Sequence, residues 1–186
     1  SMDDTGFFVP DEKIHRFAAN YQRTENDGLQ LFDSPETSHY QRSPGLFSGG
    51  GGLVSTAHDY YKFASMLLNQ GEYEGTRLLG RKTVELMTSN HMPGHGDLAS
   101  MGQAVFSEST YDGIGFGLGF SVMLDPATAQ ILGTEGEFAW GGAASTYFFI
   151  DPDEDMLVIF LTQLMPSSAY PIRRELRVLA YQSIID

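Results

Sequence analysis

The sequence predicts an α+β fold, mixed in helix and strand, in which helices and loops precede an antiparallel sheet and a C-terminal helix packs on that sheet. Three observations support this prediction. A capped amphipathic helix is expected to begin after Thr56. Two pairs of short apolar segments, each joined by a turn, are typical of β-hairpins. A last helical pattern follows Pro171, a residue suited to the first turn of a helix.

The first fifty residues show only weak periodicity. A short helix is expected over residues 12–21, because Ile14, Phe17 and Tyr21 would share one face. Residues 24–43 are polar, which predicts a long surface loop of the kind that is often functional.

A run of four glycines at 49–52 leads directly into a helix start. A flexible linker is one interpretation of this run. The other is that a backbone without side chains passes close to another group. Thr56 is a suitable N-cap, and apolar residues then recur at helical spacing as far as Leu68. A second helix is predicted over 81–89.

A strand with one glycine face is predicted after a loop over 91–110. Small and bulky residues alternate there with a period of two, which is the period of a strand. Such a glycine face must lie against another backbone or a cavity. Its members are Gly113, Gly115, Gly117 and Gly119.

Two hairpins are predicted next, one joining 116–124 to 129–135 and the other joining 146–150 to 156–163. The apolar run 157–161 is typical of a central strand that is buried on both faces.

The last helix is expected to present an apolar stripe to the sheet. The predicted stripe is Ile172, Leu176, Leu179, Ala180 and Ser183. The basic residues of the same segment are then assigned to its solvated face. They are Arg173, Arg174 and Arg177.

Composition excludes several classes of function. The formal net charge of −13 argues against nucleic acid as a partner, because phosphate binding needs clustered cations. The chain has no Cys, so it has neither a disulfide nor a thiol nucleophile.

No apolar run approaches a membrane span, which predicts a soluble chain of the cytoplasm or the periplasm. Ser1 and Met2 look like the remnant of a cleaved tag, and a truncated chain is expected.

The familiar nucleophile motifs are absent from the sequence. It contains no Gly-x-Ser-x-Gly, no Ser-x-x-Lys, no Tyr-x-Asn and no Walker-type phosphate loop. His91, His95 and Asp97 are ligand types, but Pro93 and Gly94 interrupt any helix that would align them. A solvated loop is therefore favoured over a metal site, and no metal or cofactor is expected.

One further segment remains, residues 138–146, which hold the only Trp and precede a predicted buried strand. Alone, it is typical of a glycine turn beside a core Trp. Three segments together change that interpretation. Residues 48–64 (SGGGGLVSTAHDYYKFA), 78–91 (LLGRKTVELMTSNH) and 140–152 (WGGAASTYFFIDP) resemble, in order, the class C β-lactamase-like group of penicillin-recognising serine hydrolases, which includes esterases.

The resemblance implies a partial β-lactamase/transpeptidase-like fold, with residues 1–186 as the C-terminal portion of one such domain from a bacterial hydrolase. In that family the serine of Ser-x-x-Lys attacks a carbonyl to form an acyl-enzyme, and a third motif borders the site. Trp140-Gly141-Gly142 resembles this third motif in an esterase-like form. Trp140 replaces a Lys that would pair with a β-lactam carboxylate, which favours neutral ester or amide substrates.

The resemblance also assigns the site residues. The N–H of Ala143 would be one oxyanion donor, and the nucleophile's own N–H the other. The residues assigned to substrate binding are Trp140, Gly141, Gly142, Ser145, Gly50 and Gly51.

Two functional hypotheses stay open. In the first, the chain is part of a carboxylesterase or β-lactamase, acts on an ester or β-lactam-like small molecule, and is inactive without a missing N-terminal half. In the second, it is a pseudoenzyme that serves as a binding or structural module. Under either hypothesis we expect self-association into a homo-oligomer, because exposed sheet edges promote it.

Overall fold

The structure is a computed structural model that describes residues 1–26, 28–101 and 110–185. Over these residues the chain forms four α-helices and three sheets. Their bounds, in chain order, are β1 (Asn20–Arg23), β2 (Leu29–Asp33), α1 (Ala57–Leu68), β3 (Glu72–Tyr73), β4 (Thr76–Arg77), α2 (Arg81–Met87), β5 (Ile114–Phe116), β6 (Ser121–Met123), α3 (Pro126–Ala129), β7 (Phe138–Gly141), β8 (Tyr147–Asp151), β9 (Met156–Phe160), β10 (Leu164–Met165) and α4 (Ile172–Tyr181). Short 3₁₀ turns lie at Asp11–Arg16, His39–Gln41, Pro93–His95 and Ala99–Met101.

The largest sheet is antiparallel, with strand order β5-β6-β7-β8-β9. Successive side chains of a strand point to opposite faces of its sheet. Two neighbouring residues of β8 therefore show that a helix covers each face. The Phe148 ring lies 5.0 Å from that of Tyr60 on α1, and the Phe149 ring stacks 5.7 Å from that of Tyr181 on α4. The predicted α+β fold with a C-terminal helix on an antiparallel sheet is therefore confirmed.

Helix α1 begins as the sequence predicts. The Thr56 hydroxyl oxygen accepts a hydrogen bond from the Asp59 N–H at 3.2 Å, which is the N-cap arrangement. The helix buries Ala64, Met66 and Leu67 in the apolar core beneath the sheet.

The glycine-rich strand is shorter than predicted, because β5 ends at Phe116 and the chain turns at Gly117–Gly119. The prediction that the glycine face lies against another backbone holds for Gly113 and Gly117, whereas Gly115 meets a side chain and a Cβ at Gly119 would meet no atom within 4 Å. A Cβ at Gly115 would lie 2.5 Å from the Asn90 side chain, and one at Gly117 would lie 2.1 Å from the Met87 carbonyl oxygen.

Two predictions for the N-terminal segment are wrong. Residues 12–21 form a 3₁₀ turn followed by β1, because the backbone here pairs with distant strands, as in the hydrogen bond from Tyr21 N to Gln163 O at 3.0 Å. The expected loop over 24–43 contains β2, which pairs with β1. Of the loop predicted over 91–110, residues 102–109 lie outside the described residues.

The first predicted hairpin is also wrong, because residues 129–135 form no strand and β6 pairs with β5 and β7. The cause is local, since the Asp125 carboxylate accepts from Ala127 N at 3.0 Å and Pro126 begins α3. The second hairpin is confirmed as β8 and β9. Strand β9 is not central, however, because over the described residues it pairs with β8 alone and its side chains are half-buried.

The predicted buried stripe of α4 is wrong. The helix buries Arg173 and Arg177 instead, while Leu179 is 61% exposed. The face of the sheet that meets α4 carries the polar side chains of Glu137, Tyr147 and Asp151 beside the Phe149 ring, and the two arginines turn toward these partners. Arg177 forms an ion pair with buried Glu137, with Nη1 2.6 Å from Oε2.

Further hydrogen bonds complete this buried polar cluster. Arg177 Nε donates to the Tyr147 hydroxyl at 3.0 Å, and the Tyr181 hydroxyl lies 2.6 Å from Glu137 and 2.7 Å from Asp151. Burial raises the pKa of Tyr147 to about 12. Burial disfavours the Arg177 cation, but Tyr147 and Glu137 outweigh this and raise its pKa above the usual range.

Within the ranges that the structure describes, no helix combines the length and the apolarity needed to cross a membrane.

Candidate functional site

Strand β7 extends beyond its neighbour β6, and this leaves part of its edge open. β6 pairs with β7 only at Phe138 and Ala139, whereas β8 pairs with it as far as Gly141. The chain before β6 turns away through Gly119, whose φ of +105° favours glycine. Trp140 and Gly141 therefore have a strand partner on one side alone among the described residues.

The turn after β7 is tightly closed. Gly142 N donates to Thr146 O at 2.9 Å, and Ser145 N donates back to Gly142 O at 3.1 Å. Ser145 adopts a left-handed φ of +66°, and its buried hydroxyl donates to Leu164 O at 2.6 Å. These contacts anchor the turn to β10. The predicted role of Ser145 in substrate binding stays a prediction, and its hydroxyl already has a structural partner.

Ala143 lies at the exposed end of this turn. No hydrogen bond between described residues uses its backbone N–H. A backbone N–H without a partner among the described residues, in the turn directly after the open end of β7, is suited to bind an oxyanion. The geometry thus permits the predicted role of Ala143, which remains a prediction.

Trp140 is half-buried. Its ring lies edge-on to Phe116 with the centroids 5.0 Å apart, and 6.3 Å from Tyr111. It also packs against the apolar core. Part of the ring therefore belongs to the core, as the simpler interpretation has it, and its role as an apolar wall for substrate stays a prediction.

The two glycines of the motif are explained by neighbouring side chains. A Cβ at Gly141 would lie 2.5 Å from the Arg173 guanidinium, and one at Gly142 would lie 2.4 Å from the Thr146 hydroxyl. A side chain at either position would therefore displace the Arg173 guanidinium or the Thr146 hydroxyl. Close approach of substrate, the reason that the resemblance implies, stays a prediction.

The glycine run at 49–52 packs elsewhere. The Tyr40 hydroxyl donates to Gly51 O at 3.1 Å, and a Cβ at Gly52 would lie 3.4 Å from the Phe7 ring. No hydrogen bond or ring contact between described residues joins this run to the Trp140 motif. The substrate-binding role of Gly50 and Gly51 is a prediction without a structural contact to the motif.

Arg173 is the site residue that the sequence analysis missed. It is 8% exposed, and its Nη2 donates to Gly142 O at 2.9 Å and to Thr146 O at 3.3 Å. The signal that could have found it is a polar stripe at spacing i, i+4, i+8 on the last helix, formed by Arg173, Arg177 and Tyr181.

The loop with potential metal ligands has another role. Asp97 Oδ2 accepts from Gly113 N at 2.9 Å and Oδ1 accepts from Ser100 N at 2.9 Å, and these bonds hold the pKa of Asp97 below its usual range. In the described part of the chain, no group of three or more metal-ligating side chains is placed to hold an ion.

Comparison with known proteins identifies the family and the fold of the chain. The beta-lactamase family model matches residues 1–182. Protein Rv1367c of Mycobacterium tuberculosis strain H37Rv is 37% identical over 170 residues, which are 89% of this chain and 40% of that protein. The chain thus spans about two fifths of the length of the curated relative that it matches.

Two solved structures show the same fold. EstCE1, described as a hydrolase with promiscuous acyltransferase activity, has a TM-score of 0.72 at 24% identity over 96% of this chain and 46% of its own. Unliganded simvastatin synthase from Aspergillus terreus has a TM-score of 0.71 at 23% identity over 97% of this chain and 46% of its own. The expected partial β-lactamase/transpeptidase-like fold is confirmed.

Proposed function

The chain belongs to the beta-lactamase family, and from that premise we propose that it supplies one wall of the cleft of a serine hydrolase with an acyl-enzyme mechanism. Residues 1–186 would be the C-terminal portion of one catalytic domain. The observation that supports this proposal is that Ala143, an exposed residue in the turn directly after the open end of β7, has a backbone N–H that no described group accepts.

The chemistry of acyl transfer explains the value of such a donor. A serine hydroxyl attacks the substrate carbonyl carbon, its proton passes to a base, and the carbonyl oxygen becomes an anion. A preorganised N–H stabilises that anion more than it stabilises the neutral carbonyl. When the bond to the leaving group breaks, the base returns the proton to the leaving alcohol or amine, and attack by water on the acyl-enzyme then releases the acid and regenerates the serine. The serine must come from outside this chain, because the sequence contains no Ser-x-x-Lys.

Trp140 indicates the substrate class. An indole at this position has no charge to pair with the carboxylate of a β-lactam. Its half-buried ring offers an apolar surface beside the proposed oxyanion donor. We therefore propose neutral esters or amides as the preferred substrates.

The test compares the 186-residue chain with a protein extended to the full length of its natural coding sequence. A chromogenic short-chain ester and a chromogenic cephalosporin are the substrates. We expect the extended protein to hydrolyse the ester faster, and the short chain to hydrolyse neither and to resist labelling by a fluorophosphonate in intact-mass spectra. A folded extended protein that is silent on both substrates, or a labelled short chain, contradicts the proposal.

The role of Ala143 is tested in the extended protein. Ala143→Pro removes the N–H, and we expect kcat to fall by about 10²–10³-fold, as for loss of one oxyanion donor. Ala143→Gly keeps the N–H and is the matched control, and circular dichroism checks the fold of both variants. Equal kcat for the Pro and Gly variants would remove Ala143 from the site.

A non-catalytic binding or structural module is the second candidate function. The observation that favours it is the absence of a nucleophile motif from the chain. The upstream coding sequence discriminates the two, because a Ser-x-x-Lys there supports the enzyme and its absence supports the module.

A further inference from the structure

Ala143 N–H and Gly142 C=O belong to one planar peptide group, so whatever fixes the carbonyl also fixes the direction of the N–H. The Gly142 oxygen accepts from Ser145 N at 3.1 Å and from Arg173 Nη2 at 2.9 Å. Two donors use both of its acceptor sites. The peptide plane is therefore held from its carbonyl side, while no described group accepts from its N–H.

Arg173 reaches this peptide from the helix on the far face of the sheet. Its guanidinium fits beneath the motif because Gly141 has no Cβ, which would otherwise lie 2.5 Å from Cζ. It lies over the Tyr147 ring, with Cζ 5.5 Å from the centroid. Gly141, the Tyr147 ring and the Gly142 carbonyl thus define one position for the Arg173 guanidinium.

The bonds of Arg173 differ from those of its neighbour one turn further along α4. Arg177 is neutralised by Glu137 and attaches the helix to the sheet. Over the part of the chain that the structure describes, no ion pair includes Arg173, and its buried Nε has no hydrogen-bond partner. Its Nη2 donates only to carbonyls of the turn, Gly142 O and Thr146 O.

We propose that Arg173 is a positioning residue that orients and polarises the Gly142–Ala143 peptide, so that the Ala143 N–H is a stronger oxyanion donor. This inference rests on the proposed function. A charge-assisted bond to a carbonyl withdraws electron density from the peptide and strengthens the donor at its other end. Because Arg173 is buried behind the motif, it acts through the peptide and does not touch the substrate.

Nuclear magnetic resonance of the 186-residue chain tests the inference without any activity. Arg173→Met is expected to move the Gly142 carbonyl carbon and the Ala143 amide proton upfield, and Arg173→Lys is expected to move them less. Arg174→Met removes an exposed guanidinium from the same helix and should leave both resonances in place. If Arg173→Met does not fold, the two resonances of Arg173→Lys decide whether the inference holds. Unchanged resonances in the folded Arg173 variants overturn the inference.

Kinetics of the extended protein provide the second readout. Arg173→Met should lower kcat by about tenfold, less than loss of the donor itself, with KM within about twofold. Arg173→Lys should recover part of kcat, and Arg174→Met should match the wild type. An unchanged kcat, or a rise in KM alone, overturns the inference. If the extended wild type hydrolyses nothing, the proposed function fails. The resonances still decide whether Arg173 orients and polarises the Ala143 amide.

Discussion

Asp59 shows how one residue connects distant parts of the chain. Its side chain is buried, and its Oδ2 accepts from Asp4 N at 2.7 Å and from the Thr5 hydroxyl at 3.1 Å. Lys62 Nζ lies 3.1 Å from Oδ1. Burial disfavours the charged carboxylate, but these partners outweigh it and hold the pKa of Asp59 below its usual range. The N-terminal residues are thereby attached to α1.

Replacing this carboxylate should destabilise the chain in a pH-dependent way. Asp59→Asn is expected to lower the free energy of unfolding by about 1–3 kcal/mol at neutral pH, because the charge is lost and the amide NH2 must face either Asp4 N or Lys62 Nζ, both of which are donors. The folded pKa lies below the unfolded one, so the carboxylate stabilises the fold above about pH 4, and the difference between variant and wild type shrinks as the pH falls below it. Urea unfolding at several pH values measures this.

The matched control is Asp153→Asn, which changes an exposed carboxylate. We expect a change in unfolding free energy within about 0.5 kcal/mol. Equal stability of the Asp59 variant and the wild type at pH 7 would refute the role assigned to Asp59.

At the scale of elements, glycine sets how closely β5 and the segment after it approach α2. The Cβ that Gly117 lacks would lie 2.1 Å from the Met87 carbonyl oxygen, which is backbone and cannot rotate away. Leu118 N also donates to that oxygen at 2.8 Å. The contact between the two elements therefore depends on a missing side chain.

We expect Gly117→Ala to lower the unfolding free energy by about 1–3 kcal/mol, because the added methyl group forces the backbone apart. Gly50→Ala is the control, since no atom lies within 4 Å of its Cβ position, and its effect should stay within about 0.5 kcal/mol. Thermal unfolding of both variants measures the difference. Similar melting temperatures for the two variants would contradict the packing argument.

Helix α4 illustrates a limit of pattern reasoning at this scale. Its apolar residues are spaced like a buried stripe, yet Leu179 of that stripe is exposed, while Arg173 and Arg177 are buried against the sheet. The sequence of the helix does not reveal that Glu137 lies opposite. A buried cation is stable only beside a partner from elsewhere in the chain.

At the scale of the whole molecule, several large apolar side chains are exposed at a sheet edge. Strand β2 ends its sheet and leaves Leu29 62%, Leu31 50% and Phe32 57% exposed. Strand β9 ends the main sheet over the described residues. Exposed apolar edges of this kind promote association.

We therefore expect the 186-residue chain to form homo-oligomers at micromolar concentration, seen as a rising mass in light scattering. Leu31→Lys should lower that mass by placing a charge on the edge strand. Leu78→Lys changes an exposed leucine outside the two larger sheets and serves as the control. A monomeric mass at every concentration would contradict the prediction.

The sequence by itself determined the elements whose signals are local. The N-cap at Thr56, the β8–β9 hairpin and the helix start near Pro171 depend on neighbouring residues, so their patterns were sufficient. The three segments that resemble the family likewise identified the Trp140 motif as a candidate site. A residue pattern reports propensity and spacing, and at the N-cap, the hairpin and the helix start no other local or distant group competed.

Only the tertiary structure decided what depends on contacts between distant residues. It paired β1 with β10, turned Arg173 and Arg177 inward, and extended β7 beyond β6 to leave an edge open. It also placed the Arg173 guanidinium on the carbonyl of the peptide that carries the Ala143 N–H. The physical reason is that a charge can be buried, and a strand edge paired, only where the fold brings a partner to it. The local sequence does not contain that partner.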